Sequence, residues 1–244
     1  TDWLVWADHD DTVDGAENIR RLISEQPDDV GGIQCPYIYA RDEYGNATTM
    51  HNRERILRAS VGWKWEGRIH ESIIPQSVMR WAESDEVIWT HEAESRDKSD
   101  RNLPMLHKWL EEEPDNLRLL LHLGNQYYAH GEHKTAAEWY TRFYTGLGGA
   151  PHDRYQAMTY AGRSYRTINN VKEAIRADSA ATLEFPELAD AYIGMCENYM
   201  MLKQWERGIV VGEAANTKAP LSMRSFVNTL DYTWRIWADL QICY

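Results

Sequence analysis

Cysteine is scarce in this sequence of 244 residues. Its three cysteines, Cys35, Cys196 and Cys243, are widely spaced, contain no CxxC pair and leave one thiol over in any disulfide scheme. A fold held together by a framework of disulfides is therefore excluded. Few cysteines without a pairing pattern are typical of a reducing compartment, so we expect a cytoplasmic protein.

Positive charge and long apolar runs are also lacking. The chain has 26 Lys and Arg against 38 Asp and Glu, which gives a net charge of -12. Such a surface repels phosphate backbones and anionic lipids, and this argues against nucleic-acid binding. No apolar run approaches the roughly 20 residues of a membrane span, and the first residues lack the pattern of a signal peptide. We therefore expect no membrane span.

The second half of the chain contains a repeat of 34 residues. Tyr165 and Tyr199 are 34 residues apart, and so are Pro186 and Pro220. Tetratricopeptide repeats, which are hairpins of two helices, have this period. Three units can be aligned, each with small residues where two helices must approach closely: LHLGNQYYAHGEHKTAAEWY, TYAGRSYRTINNVKEAIRAD and IGMCENYMMLKQWERGIVVG.

Stacked hairpins bury their apolar faces against their neighbours, so three units predict one continuous core. Tyr127, Tyr165 and Tyr199 are expected to pack in that core rather than to form a ligand platform. The step from Tyr127 to Tyr165 is 38 residues, and the glycines of 146–149 predict a loop that absorbs the extra four. Residues 222–244 predict a closing helix.

Short β-favouring runs dominate the first hundred residues and, with one helical stretch between them, predict an α/β segment. The run DWLVWA is apolar at consecutive positions, as in a strand buried on both faces, and Asp8, Asp10 and Asp11 follow it. Carboxylates at the carboxyl end of such a strand can hold a divalent cation that bridges to phosphate oxygens. The cluster predicts a metal–nucleotide site, although most acidic clusters are solvated turns.

Two His-Glu pairs, His70–Glu71 and His91–Glu92, lie beside β-like runs and supply further ligand types for such a site. A lone histidine is more often a satisfied, partly buried side chain, so the pairs gain weight only together with the acidic cluster. The sequence HExxH is absent, which excludes a zincin.

The order of these motifs resembles that of family 2 glycosyltransferases with a GT-A fold and a C-terminal tetratricopeptide array. The motifs are DWLVWADHDD, RERILRA followed by WKWEGRIHESI, and VIWTHEAESRDKSDRNLPMLHKWLEEEPDN. The resemblance implies the metal and acceptor half of a Rossmann-like GT-A domain at 1–95, a connecting helix at 96–114 and a helical solenoid of repeats at 115–244. The family's N-terminal half would precede Thr1, so we expect a fragment that is inactive alone.

The resemblance also implies roles for individual residues. Asp8, Asp10 and His91 would hold Mn²⁺ or Mg²⁺ against the diphosphate of a nucleotide-sugar donor such as a UDP-sugar, and Arg55 would contact the phosphates. A metal placed in advance stabilises the charge that develops on the departing nucleoside diphosphate. Glu71 would be the base that takes the proton of the acceptor hydroxyl in an inverting reaction.

Four further residues carry weaker implications. Arg58 could contact phosphates or brace the site. Asp11 stands where the family more often has Glu. Trp63 and Trp65 alternate along a strand and point to one face, where a sugar-stacking wall and a sheet core are equally compatible with them.

Three functions are therefore compatible with the sequence. The first is the metal and acceptor half of an inverting glycosyltransferase whose repeats recruit a protein or glycan acceptor. The second is a non-catalytic interaction protein with a degenerate transferase remnant, which the missing N-terminal half favours. The third, a metal-dependent hydrolase or nuclease, is disfavoured by the negative charge and by the lack of further clustered carboxylates.

Overall fold

A computed structural model describes residues 2–69, 71–92, 99–146, 148–218, 227–228 and 236–244. His70 and Pro220, which were singled out above, lie outside these ranges. The chain forms two compact units: residues 1–96 with 223–229, and residues 97–222 with 230–244. Within the described ranges, no helix combines the length and the apolar character that crossing a bilayer requires.

The first unit is built around one long hairpin of strands β3 (Val30–Arg41) and β4 (Ala47–Arg58), which pair antiparallel. The Asp42 side chain accepts the backbone N–H groups of Tyr44 and Asn46, which stabilises the turn between the strands. The other elements are β1 (Trp3–Val5), β2 (Asp11–Asp14), α1 (Ile19–Ser24), β5 (Trp63–Glu66), β6 (Ser72–Pro75), β7 (Arg80–Glu83), β8 (Ile88–His91) and β9 (Val227–Asn228).

The main sheet has the strand order β1-β4-β3-β8-β2, while β7 also pairs with β3 and β9 with β4. Strand β3 runs parallel to β7 and β8, and the other described pairs of this sheet are antiparallel. Strands β5 and β6 form a separate two-stranded sheet. The core of the unit consists of Leu22, Ile33, Cys35, Tyr37, Ile56, Val87 and Trp89.

The expectation of a Rossmann-like GT-A domain is wrong. A Rossmann-like domain has a mostly parallel sheet with helices between its strands, whereas antiparallel pairs dominate this sheet and the described part of the unit has one α-helix of six residues. The run DWLVWA is not a strand buried on both faces either. Among the described strands, β1 lies at the sheet edge and pairs with β4 alone, and Leu4 and Val5 are 49% and 48% exposed.

Strand β9 joins the first unit from far along the chain. It pairs antiparallel with β4, with Asn228 opposite Thr49 and Val227 opposite Met50. The sequence analysis placed these residues in the closing helix predicted at 222–244, because two residues carry too little pattern to predict a strand. The described part of residues 222–244 thus contains a strand as well as a helix.

The described part of the second unit consists of helices. These are α2 (Ser99–Glu112), α3 (Leu117–Ala129), α4 (His133–Thr145), α5 (Pro151–Thr167), α6 (Val171–Glu184), α7 (Asp190–Met201), α8 (Trp205–Ala215) and α9 (Ile236–Cys243). Short turns join consecutive helices from α2 to α8. The hairpins α3–α4, α5–α6 and α7–α8 coincide with the three aligned units. The glycines of 146–149 fall in the connection between α4 and α5, as their spacing predicts.

The three hairpins share a turn residue with positive φ, although only the first hairpin has a glycine at that position. Gly131, Asn169 and Lys203 all adopt positive φ, of 75°, 59° and 56°, in the turn that follows the first helix of each hairpin. Their spacings equal those of Tyr127, Tyr165 and Tyr199. Because only glycine adopts this conformation without steric cost, the common backbone is imposed by the packing of the helices.

A buried polar cluster joins the second and third hairpins. Asp178 of α6 is 1% exposed and accepts hydrogen bonds from Arg166 of α5 and from the side-chain amide of Asn198 of α7. Arg166 also pairs with Glu197, at 3.0 Å. Gly162 and Gly194 make room for the carboxylate, because a Cβ atom there would lie 2.3 and 2.7 Å from its oxygens.

Burial raises the pKa of Asp178 to about 6, although Arg166 and Asn198 partly oppose the shift. This folded-state pKa is above that of the unfolded chain, so the protonated carboxyl stabilises the fold. The contribution is fully present below about pH 4 and is lost as the pH rises through about 6.

We therefore expect Asp178→Asn, which cannot titrate, to change how stability depends on pH. The free energy of unfolding of the wild type, minus that of the variant, should fall between pH 4 and pH 7, by on the order of 2–3 kcal/mol. Urea unfolding of both proteins at a series of pH values measures this difference. A difference that stays constant or rises with pH would contradict the raised pKa of Asp178.

Candidate functional site

Strand pairing in the first unit brings an aspartate and a histidine face to face. Strands β2 and β8 pair antiparallel with Asp11 directly opposite His91. The turn before β2 is closed by two hydrogen bonds, since the Asp11 N–H donates to the Asp8 carbonyl and the Asp8 N–H donates to the Asp11 carboxylate. Asp10, within this turn, therefore also lies beside His91.

Three potential metal ligands converge at this point. Ligand atoms of Asp10, Asp11 and His91 all lie within 4.8 Å of one another. Nδ1 of His91 is 3.8 Å from an oxygen of Asp10 and 3.8 Å from an oxygen of Asp11. This nitrogen is shielded from solvent and has no hydrogen-bond partner among the described residues. The arrangement leaves a lone pair or a proton of the imidazole unsatisfied.

Arg55 holds the turn of Asp8 and Asp11 in place through ion pairs with both residues. Ile33 pairs with Ile56 and Gln34 with Glu54, so Arg55 is the extra residue of a β-bulge in β4. Bulges re-aim side chains, and this one turns a fully buried guanidinium towards the turn, where it donates to Asp11 at 2.7 Å and to Asp8 at 3.2 Å.

Two aromatic rings complete the surroundings of Arg55. Its guanidinium carbon lies 3.9 Å from the ring centre of Trp6 and 4.8 Å from that of Tyr37. The Tyr37 hydroxyl donates to the other Asp11 oxygen at 2.9 Å. Burial, followed by that hydrogen bond, raises the pKa of Tyr37, which keeps the hydroxyl a donor. Both Asp11 oxygens therefore have fixed partners, which hold the carboxylate in place.

The structure groups the predicted metal ligands differently from the sequence. Asp10 and His91 lie together, but the third member of the group is Asp11, while Asp8 turns towards Arg55. Asp11 was passed over because its place opposite His91 follows from strand register, which spacing along the chain does not show. Arg55, predicted to contact phosphates, is held by two carboxylates.

Other predicted residues lie apart from this group. Glu71 is exposed and precedes β6 of the two-stranded sheet. Arg58 donates to the carbonyls of Val30 and Pro27, and Trp63 donates to the carbonyl of Arg58, so both serve the packing of the unit. Trp65 is 47% exposed, and its ring meets Trp6 edge-on with the centres 5.1 Å apart.

Two carboxylate oxygens and one imidazole nitrogen form a mixed ligand set. Carboxylates suit Mg²⁺, Ca²⁺ and Mn²⁺, whereas imidazole suits transition metals, so Mn²⁺ satisfies both requirements better than Mg²⁺ does. The second shell that metal sites need is present at Asp11, through Tyr37 and Arg55. The chemistry of these residues therefore fits a divalent transition metal.

No protein-family model and no curated protein matches this chain. Among solved structures, a crystal structure of MamA is similar at 20% identity over 60% of this chain and 77% of MamA, with a TM-score of 0.48. A structure of MamA from Desulfovibrio magneticus RS-1, from residue 41 to its end, is 20% identical over 48% of this chain and 64% of that one, with a TM-score of 0.42.

The resemblance to family 2 glycosyltransferases is therefore wrong. No family model supports it, and the sheet lacks the mostly parallel arrangement of a GT-A domain.

Proposed function

We propose that this chain is an interaction protein whose helical hairpins bind an acidic segment of a protein partner across α3 and α5. The observation that carries the proposal is a local excess of positive charge. Helices α3 and α5 contain four arginines and one acidic residue, in a chain whose net charge is -12. A positive patch on a negative protein attracts anionic partners and selects against others.

The four arginines divide into two groups. Arg154 and Arg166 are in ion pairs with Glu184 and Asp178, and these pairs hold neighbouring helices together. Arg118 and Arg163 are partly exposed and lie against rings: Arg118 donates to the imidazole of His122, and the Arg163 guanidinium is 5.4 Å from the ring centre of Tyr160. We assign partner binding to Arg163, because it is partly exposed and lies beside Tyr160, which in turn packs on Tyr128.

Aromatic side chains extend the same surface from one hairpin to the next. Tyr128 of α3 and Tyr160 of α5 are both partly exposed, and their ring centres lie 5.1 Å apart in an edge-to-face arrangement. Tyrosine and arginine are the residues that most often dominate binding energy at interfaces. Tyr128, Tyr160 and Arg163 thus supply apolar area and charge together, which suits a partner segment that alternates acidic and aromatic side chains.

The proposal predicts a charge-dependent affinity for such a segment. A fluorescent peptide rich in Glu and Phe should bind the chain, and Arg163→Glu should weaken binding about tenfold or more, because it reverses the charge beside Tyr160. The matched control is Arg176→Glu, which makes the same change on an exposed side chain of α6. Fluorescence anisotropy measures both affinities.

A second peptide, in which each Glu is replaced by Gln, separates charge from general apolar binding. It should bind more weakly than the Glu peptide at low salt, and the gap should close as salt screens the charges. Equal affinities for the two peptides, or equal losses in the Arg163 and Arg176 variants, would exclude this surface as the docking site.

Asp10, Asp11 and His91 support a second function, the binding of a divalent cation by the first unit. The shielded Nδ1 of His91 and the fixed carboxylate of Asp11 favour a bound ion over a solvated acidic turn. The nucleotide-sugar and glycan partners belonged to the rejected family resemblance and are not proposed. The role of Glu71 as a base stays a prediction that no described contact tests.

We expect the chain to bind Mn²⁺ more tightly than Mg²⁺, and Asp10→Ala and His91→Ala each to lower the affinity for Mn²⁺ at least tenfold. His9→Ala is the matched control, because that side chain adjoins Asp10 but is 89% exposed and outside the group. Titration of free Mn²⁺ by electron paramagnetic resonance gives the affinities. Binding that survives in both ligand variants would refute the site.

A further inference from the structure

Two cysteines that are far apart in sequence meet in the second unit. Cys196 lies in α7 and Cys243 is the last residue of α9. Both are buried, with 0% and 7% of their surface exposed, and both sulfur atoms lie against glycines of α8. Both are free thiols in this structure.

Two glycines of helix α8 make room for the two sulfur atoms. A Cβ atom on Gly208 would lie 3.0 Å from the sulfur of Cys243, and one on Gly212 would lie 3.2 Å from the sulfur of Cys196. Gly208 and Gly212 are one helical turn apart and lie on the same face of α8. The absence of side chains at both positions leaves room for the two sulfur atoms, one from α7 and one from α9, on neighbouring turns of the same face of α8.

We propose that Cys196 and Cys243 form a reversible disulfide that fastens α9 to α7. The oxidant is a small disulfide of the glutathione class. The Cys243 sulfur attacks one sulfur of the oxidised glutathione and a first glutathione leaves; the Cys196 sulfur then attacks Cys243 in this mixed disulfide and a second glutathione leaves. The two thiol protons and two electrons of the protein end on the two released glutathione thiols.

The order of the two steps follows from position. Cys243 is the last residue of α9, a helix of only eight residues, and helices of this length are marginal on their own, so fraying of α9 can expose this thiol. Burial raises the pKa of Cys196 to about 12, and this thiol therefore reacts only once the mixed disulfide has been brought against it.

The disulfide would control how firmly α9 is held against α7 and α8. In the reduced protein α9 is held by packing, chiefly of Ile236 and Leu240 against Ala189, Ile193 and Ala215. Its outer face carries Trp237 and Ile242, which are 60% and 62% exposed. A covalent link adds a constraint on the unfolded chain that packing does not supply.

The test treats the whole chain with oxidised glutathione and maps its disulfides by mass spectrometry without reduction. We expect a monomer that has lost two hydrogen atoms, with peptides of Cys196 and Cys243 linked, and a melting temperature raised by roughly 5–10 °C that dithiothreitol reverses. Cys243→Ala should lose both effects. Cys35→Ala, which removes the buried thiol of the first unit, should keep them.

Three results would overturn the proposal: glutathione adducts without the internal link, a link that includes Cys35, or no reaction of Cys196 and Cys243. Cys196→Ser, measured beside Cys243→Ala, guards against a variant that fails to fold, since either one must abolish the link. Retention of the raised melting temperature in both variants would equally exclude this pair.

Discussion

The carboxylate of Asp178 is the constraint on which the packing of the helical unit depends. It is buried between three helices, α5, α6 and α7, and its hydrogen bonds to Arg166 and Asn198 fix how the second hairpin meets the third. Gly162 and Gly194 have no side chain because the carboxylate fills that space. Removing one partner of a buried ion pair costs about 3–5 kcal/mol, so the cluster limits which sequences this stack tolerates. Helix α5, which this cluster holds against α6 and α7, also carries Tyr160 and Arg163.

The first unit also contains a buried charged group with fixed partners, the guanidinium of Arg55. A buried guanidinium is stacked on Trp6 and Tyr37 and neutralised by Asp8 and Asp11, so the acidic turn has a fixed shape without an ion. The third carboxylate, that of Asp10, lies beside His91 and can bind a cation. A preorganised ligand set lowers the cost of binding a cation, which separates this turn from an ordinary solvated cluster.

The sequence predicted the periodic parts of the fold better than the rest. Helix pairs repeat every 34 residues, so Tyr165 and Tyr199 were enough to place two hairpins. The sheet could not be predicted in this way, because strand order and register depend on contacts between distant segments. The apolar run DWLVWA was therefore interpreted as a strand buried on both faces, although β1 is a three-residue edge strand. That interpretation then supported a family resemblance that the comparisons do not bear out.

In the candidate sites, too, the residues in local motifs were predicted, and those that depend on contacts between distant segments were not. Asp10 and His91 were chosen from local motifs and lie together, whereas Asp11 and the brace at Arg55 needed the β2–β8 register and the bulge. The placement of Cys196 and Cys243 on the same face of α8 depends on how α7 and α9 pack, and spacing in the sequence suggested only three unrelated thiols. The charge difference between α3, α5 and the whole chain was present in the sequence, but it has meaning only once these helices are known to be neighbours.

Hydrogen–deuterium exchange with the Glu- and Phe-rich peptide tests the central claim most directly, because it locates the bound segment without substitutions. If the helical hairpins are the docking surface, the peptide slows amide exchange in α3 and α5 and leaves β3 and β4 of the first unit unchanged. Slowed exchange confined to the first unit, or none in α3 and α5 at a saturating concentration of peptide, would contradict the account.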